Sequence, residues 1–201
     1  TVLGNHCSKF IDSPYSRTGI LEGNPIHKDM IAASKMAHQK YIVNVIIDAD
    51  KKVVHAVAGD AIEAHAAGCK FLQDYCQVVP KKAADIAIST NGGYPLDQNM
   101  YQSVKGMTAA EAAAKDDGIL IMVSNCGDGH GGEGFYEALK NCSSPADLMA
   151  EILKVPQDQT KPDQWEYQIQ CRILMQNTVI YVMCEEHRKM AQEMGFNVAN
   201  D

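Results

Sequence analysis

The spacing of hydrophobic and polar positions changes character along the chain. Asn24 followed by Pro25 opens a stretch of helical spacing that runs to about residue 40, with Asn24 as N-cap and the proline in the first helical position. Two Val- and Ile-rich runs follow, 41–48 and 52–58, separated by Ala49-Asp50-Lys51, and they predict a hairpin. Gly59-Asp60 then opens a second helix over 61–75, whose Ile62, Ala66, Cys69 and Leu72 share one apolar face. The residues before Asn24 read as loop. Val78-Val79-Pro80-Lys81-Lys82 is a short extended stretch with a proline and two charges, and the domain boundary is expected there, between residues 79 and 80.

Beyond it the pattern becomes strand, glycine loop, helix, repeated. Residues 85–90 predict a strand, 91–95 a loop, and 97–115 a helix capped by Asp97 and closed by Asp116-Asp117-Gly118. Ile119-Leu-Ile-Met-Val123 is continuous apolar sequence of the type found in parallel strands covered on both faces. A second glycine-rich loop, 124–133, leads to a helix near 135–140. Pro145 and Pro162 open two more, 178–183 is a third strand, and 185–194 a helix closed by Gly195. Alternating strands and helices predict an α/β fold with a largely parallel sheet in the second domain.

Composition narrows the function. The 201 residues are 46% hydrophobic and 21% charged, an ordinary globular balance, and the apolar runs are strand-sized, so no membrane span is expected. A formal charge of −7 argues against nucleic acid, whose phosphates demand a basic footprint. Seven cysteines without a C-x-x-C pair fit reduced thiols and a cytoplasmic setting better than a disulfide framework. No signal peptide is visible at the start, which is Thr1.

In parallel α/β sheets ligands bind beyond the carboxyl ends of the strands. The first glycine loop runs into a helix bearing Tyr101, Gln102 and Lys105, three or four residues apart and so able to share one face. A phenol, an amide and an ammonium beside the positive end of a helix suit a carboxylate. The plainer alternative is a packed tyrosine and a solvated lysine. The second loop carries Asp128, His130 and Glu133, a spacing that matches no zinc motif and that serves a tight backbone turn equally well. Cys126 is a candidate nucleophile, with a buried structural thiol as the default. Trp165, the one tryptophan, either walls a site or packs against Ile169.

Taken together, Thr1-Val-Leu-Gly-Asn-His6, Gly19-Ile-Leu-Glu-Gly-Asn-Pro25, Gly59-Asp60 with Ala64-His65, Asn91-Gly-Gly-Tyr-Pro-Leu-Asp-Gln-Asn-Met-Tyr-Gln-Ser-Val-Lys105 and Asp163-Gln-Trp165 resemble the nickel-pincer-dependent lactate racemase family, in order and over nearly the whole chain. The resemblance implies two α/β domains around a cleft, with residues 1–79 the end of the N-terminal, cofactor-binding domain and 80–201 the C-terminal domain. It implies a racemase or epimerase of small 2-hydroxy acids that moves the Cα hydride to a pyridinium bisthiocarboxylic acid mononucleotide holding nickel, while a histidine takes the hydroxyl proton. By the same resemblance His6 is the nickel ligand. Tyr101, Gln102 and Lys105 face the 2-hydroxy or 2-keto acid, and Trp165, Gly92 and Gly93 border the cofactor. The proton-transferring histidines, a substrate-binding arginine and a cofactor-tethering lysine belong upstream of the Asn-His motif. The chain is therefore expected to be a fragment, inactive and without cofactor when separated from its missing N-terminal segment. Two other readings stand beside this one: a non-catalytic domain that binds an anionic small molecule, and a metal-dependent hydrolase using Asp128, His130 and Glu133.

Overall fold

The protein is described by a computed structural model over residues 2–199. It divides into two compact units: residues 14–80 form one, and residues 1–13 join 81–201 in the other. The observed junction lies one residue from the boundary expected at 79/80. Residues 1–13, however, were assigned to the first domain and pack with the second unit. They form two short helices, α1 (Val2–Asn5) and α2 (Ser8–Asp12), in place of the expected loop. Cys7, Ser8 and Ile11 are buried, and Gln168 donates to the Ser8 carbonyl at 2.8 Å. Helices of four and five residues are too short for a periodic sequence signal, and here tertiary burial holds them.

The unit of residues 14–80 follows its sequence closely. Asn24 caps α3 (Pro25–Met36), accepting from the backbone of Ile26 and His27. The helix stops short of residue 40 because His38 turns left-handed, at φ 53°. Strands β1 (Ile42–Ile47) and β2 (Val53–Gly59) form the expected antiparallel hairpin. Asp60 caps α4 (Ala61–Cys76), and the two backbone N–H groups it accepts hold its carboxyl below the ordinary range.

The larger unit is a four-stranded parallel sheet in the order β3 (Ala84–Thr90), β4 (Ala114–Val123), β5 (Thr178–Val182), β6 (Asn197–Val198), all ladders parallel. Helix α5 (Met100–Glu111) joins β3 to β4; α6 (Glu133–Lys140), α7 (Pro145–Ile152) and α8 (Gln164–Gln176) lie between β4 and β5; and α9 (Arg188–Glu193) precedes β6. Leu120, Met122, Val179 and Tyr181 bury one face of the sheet under Met100, Val104 and Met107 of α5 and Ile173 of α8. Each such side chain contributes about 1.5–3 kcal/mol by leaving water.

Several boundaries moved for local reasons. Asn99 rather than Asp97 caps α5, and the helix ends at Glu111 rather than near residue 115. Residues 114–118 join β4 instead, through an irregularity that pairs Ala84 with Ala114 but Ile86 with Ile119. Asp163 turns left-handed at φ 64°, so the helix expected after Pro162 begins at Gln164. The 185–194 segment is a 3-10 turn, Glu185–His187, followed by α9. Full cover of both sheet faces does not extend to the β3 edge, where Ile86 and Ile88 are exposed, because α5 and α8 pack on the same face. No helix among the described residues is long and apolar enough to cross a membrane. All seven cysteines are free thiols; Cys7, Cys126 and Cys171 are buried, whereas Cys76 is exposed.

Because the buried Asn99 side chain accepts from the Gln102 backbone at 2.9 Å, Asn99→Ala should lower unfolding stability by about 1–2 kcal/mol, read as a fall in the urea midpoint at unchanged slope.

Candidate functional site

The two glycine-rich loops leave the carboxyl ends of β3 and β4 and are laced together by their backbones. Cys126 donates to the Asp97 carbonyl at 2.9 Å and Asp128 to the Gln98 carbonyl at 2.8 Å. In the reverse direction Met100 donates to Gly129 and Tyr101 to His130, each at 3.0 Å. Gly131 lies so close to the Asn99 side chain that an added Cβ would stand 2.2 Å from it, and its φ is +79°. This packing seats the first turn of α5.

The first four backbone N–H groups of α5 are all taken: Met100 and Tyr101 by the second loop, Gln102 by the Asn99 side chain and Ser103 by the Asn99 carbonyl. The groups left unengaged at this end of the helix are therefore side chains, with the helix dipole as background.

Those side chains stand as the spacing required. Lys105 is exposed, and its ammonium donates to Gln102 Oε1 at 2.6 Å, which orients the cation. Tyr101 is half-buried one turn earlier, with its ring edge-on to Phe135 and to Trp165 at 5.9 Å each. Trp165 in turn meets His6 edge-on at 5.5 Å. His6, from the corner between α1 and α2, thus joins Trp165 of α8 and Tyr101 of α5 in one aromatic row within a single compact unit. Packing of Trp165 on Ile169 alone does not describe this position. Gly92 and Gly93 take positive φ, +80° and +88°, with open space where a Cβ would lie; they let the first loop turn, and Asn91 ties it down by donating to the carbonyls of Leu96 and Gln102.

Burial sets the charge of the site. Tyr101 is pushed up to about 12, first by burial and then by the carboxylates of Glu166 and Asp163, so it remains a phenol able to donate. Glu166 follows Trp165 in sequence and is fully buried. Its carboxyl is raised to about 8 by loss of water, against the pull of the Lys105 ammonium. Neither Glu166 nor Asp163 is singled out by spacing. An acidic residue in the first turn of a helix reads as a surface residue, and only the packing of α8 reveals otherwise.

Asp128, His130 and Glu133 do not form a metal set. His130 stacks on Tyr136 at 4.8 Å, its Nδ1 accepts from Gly132, and its Nε2 is 3.7 Å from an exposed Glu133. Among the described residues no three His, Cys, Asp or Glu side chains are arranged to hold an ion. Cys126 is buried among Ser103 and Ser124, and burial raises its thiol, which does not suit a nucleophile. A metal held by one imidazole, with its other ligands brought by a cofactor, is chemically compatible with His6, since imidazole is a borderline donor suited to nickel.

These features define an α/β domain with a small cationic, aromatic-walled site beyond the carboxyl ends of its strands. Residues 79–201 match the family described as the lactate racemase C-terminal domain, and the chain belongs to that family. It is similar to the lactate racemase of Thermoanaerobacterium thermosaccharolyticum, 52% identical over 200 residues that cover 100% of this chain and 47% of the relative. The lactate racemase of Lactiplantibacillus plantarum is 50% identical over 182 residues, 90% of this chain and 43% of the relative. The solved lactate racemase apoprotein from T. thermosaccharolyticum has a TM-score of 0.96 and 52% identity to the chain, covering 100% of it and 48% of the solved chain. The chain spans about half the length of the curated relatives it matches.

The Glu166 carboxyl, raised from an ordinary 4.5, binds its proton more tightly in the folded chain than in the unfolded one. The folded state therefore loses stability as pH rises from about 4.5 to about 8, by up to roughly 1.4 kcal/mol per unit. Glu166→Gln should flatten that part of the profile, giving a higher melting temperature relative to wild type at pH 8 than at pH 5.

Proposed function

We propose that the chain is part of a racemase or epimerase of small 2-hydroxy acids, lactate-like in size, whose substrate carboxylate and hydroxyl-bearing carbon are held by Lys105, Gln102 and Tyr101. The observation that carries this reading is the Lys105–Gln102 contact of 2.6 Å, set beside the row Tyr101, Trp165, His6 in one compact unit. The two relatives named lactate racemase, at 50–52% identity, support the reaction class.

Each residue has a definable part. The Lys105 ammonium pairs with the carboxylate of the hydroxy acid, and Gln102 prevents it from swinging out to solvent. The Tyr101 phenol donates to a substrate oxygen, and that donation strengthens as the hydroxyl carbon becomes a carbonyl. Because it keeps its proton up to about pH 12, it does so across the whole working range. Trp165 closes one side against water. His6 is the residue here that would ligate nickel, and Trp165, Gly92 and Gly93 would border the pyridinium mononucleotide. When bound, that group would supply an acceptor for the Cα hydride. The part of Lys105, Gln102 and Tyr101 would be to hold the substrate carboxylate and oxygen in place while the configuration at Cα changes. The residues that move the hydroxyl proton and tether the cofactor are assigned to the N-terminal segment of the same protein, residues 14–80 of this chain to the end of that domain, and the reduced thiols suit a cytoplasmic enzyme.

The test is the whole protein carrying this chain, loaded with nickel cofactor and assayed with L- and D-lactate and longer 2-hydroxy acids. Turnover of at least one is expected, and nickel bound without any turnover overturns the substrate class. Lys105→Ala should lower kcat/KM by about 10²-fold or more while leaving the melting temperature unchanged, because the side chain is exposed. His6→Ala should reduce bound nickel, read by metal analysis. Activity of Lys105→Ala equal to wild type removes that residue from the site.

A further inference from the structure

Glu166 is the one carboxylic acid among the described residues that is fully buried, and neither of its oxygens has a hydrogen-bond partner. One turn further along α8, Gln170 is equally buried and equally without partners for its side-chain amide. A carboxyl in such a place costs stability that leucine or methionine would not. Its surroundings tie that cost to the site. The ionisable groups facing it are Lys105 and Tyr101 from α5, Asp163 from the turn ahead of α8, and Tyr181 from β5. The ion pair between α5 and α8, Arg172 with Glu111, is satisfied within itself at 2.7 Å. Charged side chains on α2, α6, α7 and β4, the remaining elements packed on α8, are exposed.

We propose that Glu166 is a positioning residue for the anion site: the proton on its buried carboxyl sets the charge behind Lys105 and Tyr101, so that the site draws in a carboxylate with Glu166 neutral and loses that attraction when Glu166 ionises. This rests on the reading that Lys105, Gln102 and Tyr101 receive the substrate. With the proton in place, the Lys105 ammonium has no buried counter-charge, and its field is available to an incoming anion. With the proton lost, a carboxylate stands behind the ammonium in a medium that screens poorly; it offsets the cation and repels the substrate. The coupling is reciprocal, so an anion bound at Lys105 makes Glu166 hold its proton more tightly, and binding near neutral to mildly alkaline pH takes up protons from solution.

The experiment is carbon-13 NMR on the whole protein carrying this chain between pH 4 and 10, following the Glu166 carboxyl carbon, the Lys105 Cε and the Tyr101 ring. In wild type the Glu166 carbon should titrate near pH 8, and the Lys105 and Tyr101 signals should move with the same midpoint; in Glu166→Gln that step should vanish. A Glu166 midpoint in the ordinary carboxylate range, a Lys105 signal flat through pH 8, or a step that persists in the variant overturns the proposal. The wild-type titration decides the matter even if the variant does not fold. A second arm titrates L-lactate into both forms at pH 6 and pH 9. Wild-type affinity should fall about tenfold, equivalent to one pK unit of coupling, while the variant changes less than twofold. Equal pH dependence in the two forms overturns the proposal. Lactate that binds neither form counts against the substrate reading alone, and the Lys105 step then decides the role of Glu166.

Discussion

The backbone lacing between the loops that follow β3 and β4 is the contact on which the rest of the site depends. Met100 and Tyr101 give their N–H groups to carbonyls of the second loop, and Cys126 and Asp128 give theirs to carbonyls of the first. These four bonds fix where α5 begins and how it is rotated. Rotation decides everything about the site, because on a helix a shift of one residue turns a side chain by about 100°. With Met100 rather than Asp97 as the first residue, Val104 and Met107 fall onto the sheet, and Tyr101, Gln102 and Lys105 face away from it. Two adjacent parallel strands bring their carboxyl ends to one edge, and the glycines let both loops approach closely enough for their main chains to bond. The loop of Asp128-Gly-His130-Gly supplies, through the Gly129 and His130 carbonyls, the acceptors for the first two N–H groups of α5.

Electrostatically, the candidate site pairs an exposed ammonium, held by one amide, with a buried acid that burial drives toward its neutral form. The net charge of −7 is compatible with such a local cation. Tyr101 and Glu166 are both driven toward their neutral forms by burial, and each reinforces the other: a charged Glu166 would oppose ionisation of the phenol, and the apolar packing that isolates Glu166 also dries one side of Tyr101. His6 reaches this region only because α1 and α2 are held on the larger unit through buried Cys7, Ser8 and Ile11. A segment that is short and weakly helical on its own thereby delivers an imidazole to the end of an aromatic row.

Much of the architecture was legible in order and type. The hairpin, the capped helices α3 and α4, the three long parallel segments and the junction near residue 80 all follow from period, proline and cap residues. The misses share a cause. Asp97 and Asn99 are both competent caps, and the choice between them was made by the carbonyls of a loop thirty residues away. Residues 114–118 read as the end of that helix and its stop signal, yet pairing with β3 drew them into a strand. Strand β6, of two residues, exists only because Tyr181 and its neighbours offered an edge to pair with. Of the candidate site, His6, Tyr101, Gln102, Lys105 and Trp165 are the residues the resemblance pointed to, and the structure sets Trp165 between the rings of Tyr101 and His6. Asp163 was present only as part of the Asp163-Gln-Trp165 motif, and Glu166 was not legible at all.

The sequence by itself determined the elements and the chemical inventory: which stretches turn, cap or extend is set by local backbone preference, and which side chains can carry charge or bind metal is set by their identity. The tertiary structure alone decided which helix-terminal amides were already occupied, which end of the chain joined which unit, and which glutamate lost its water. Those outcomes depend on burial and on hydrogen bonds between residues distant in the chain, and an interior of low polarity can move a carboxyl from about 4.5 to about 8 without any change in the residues beside it in sequence.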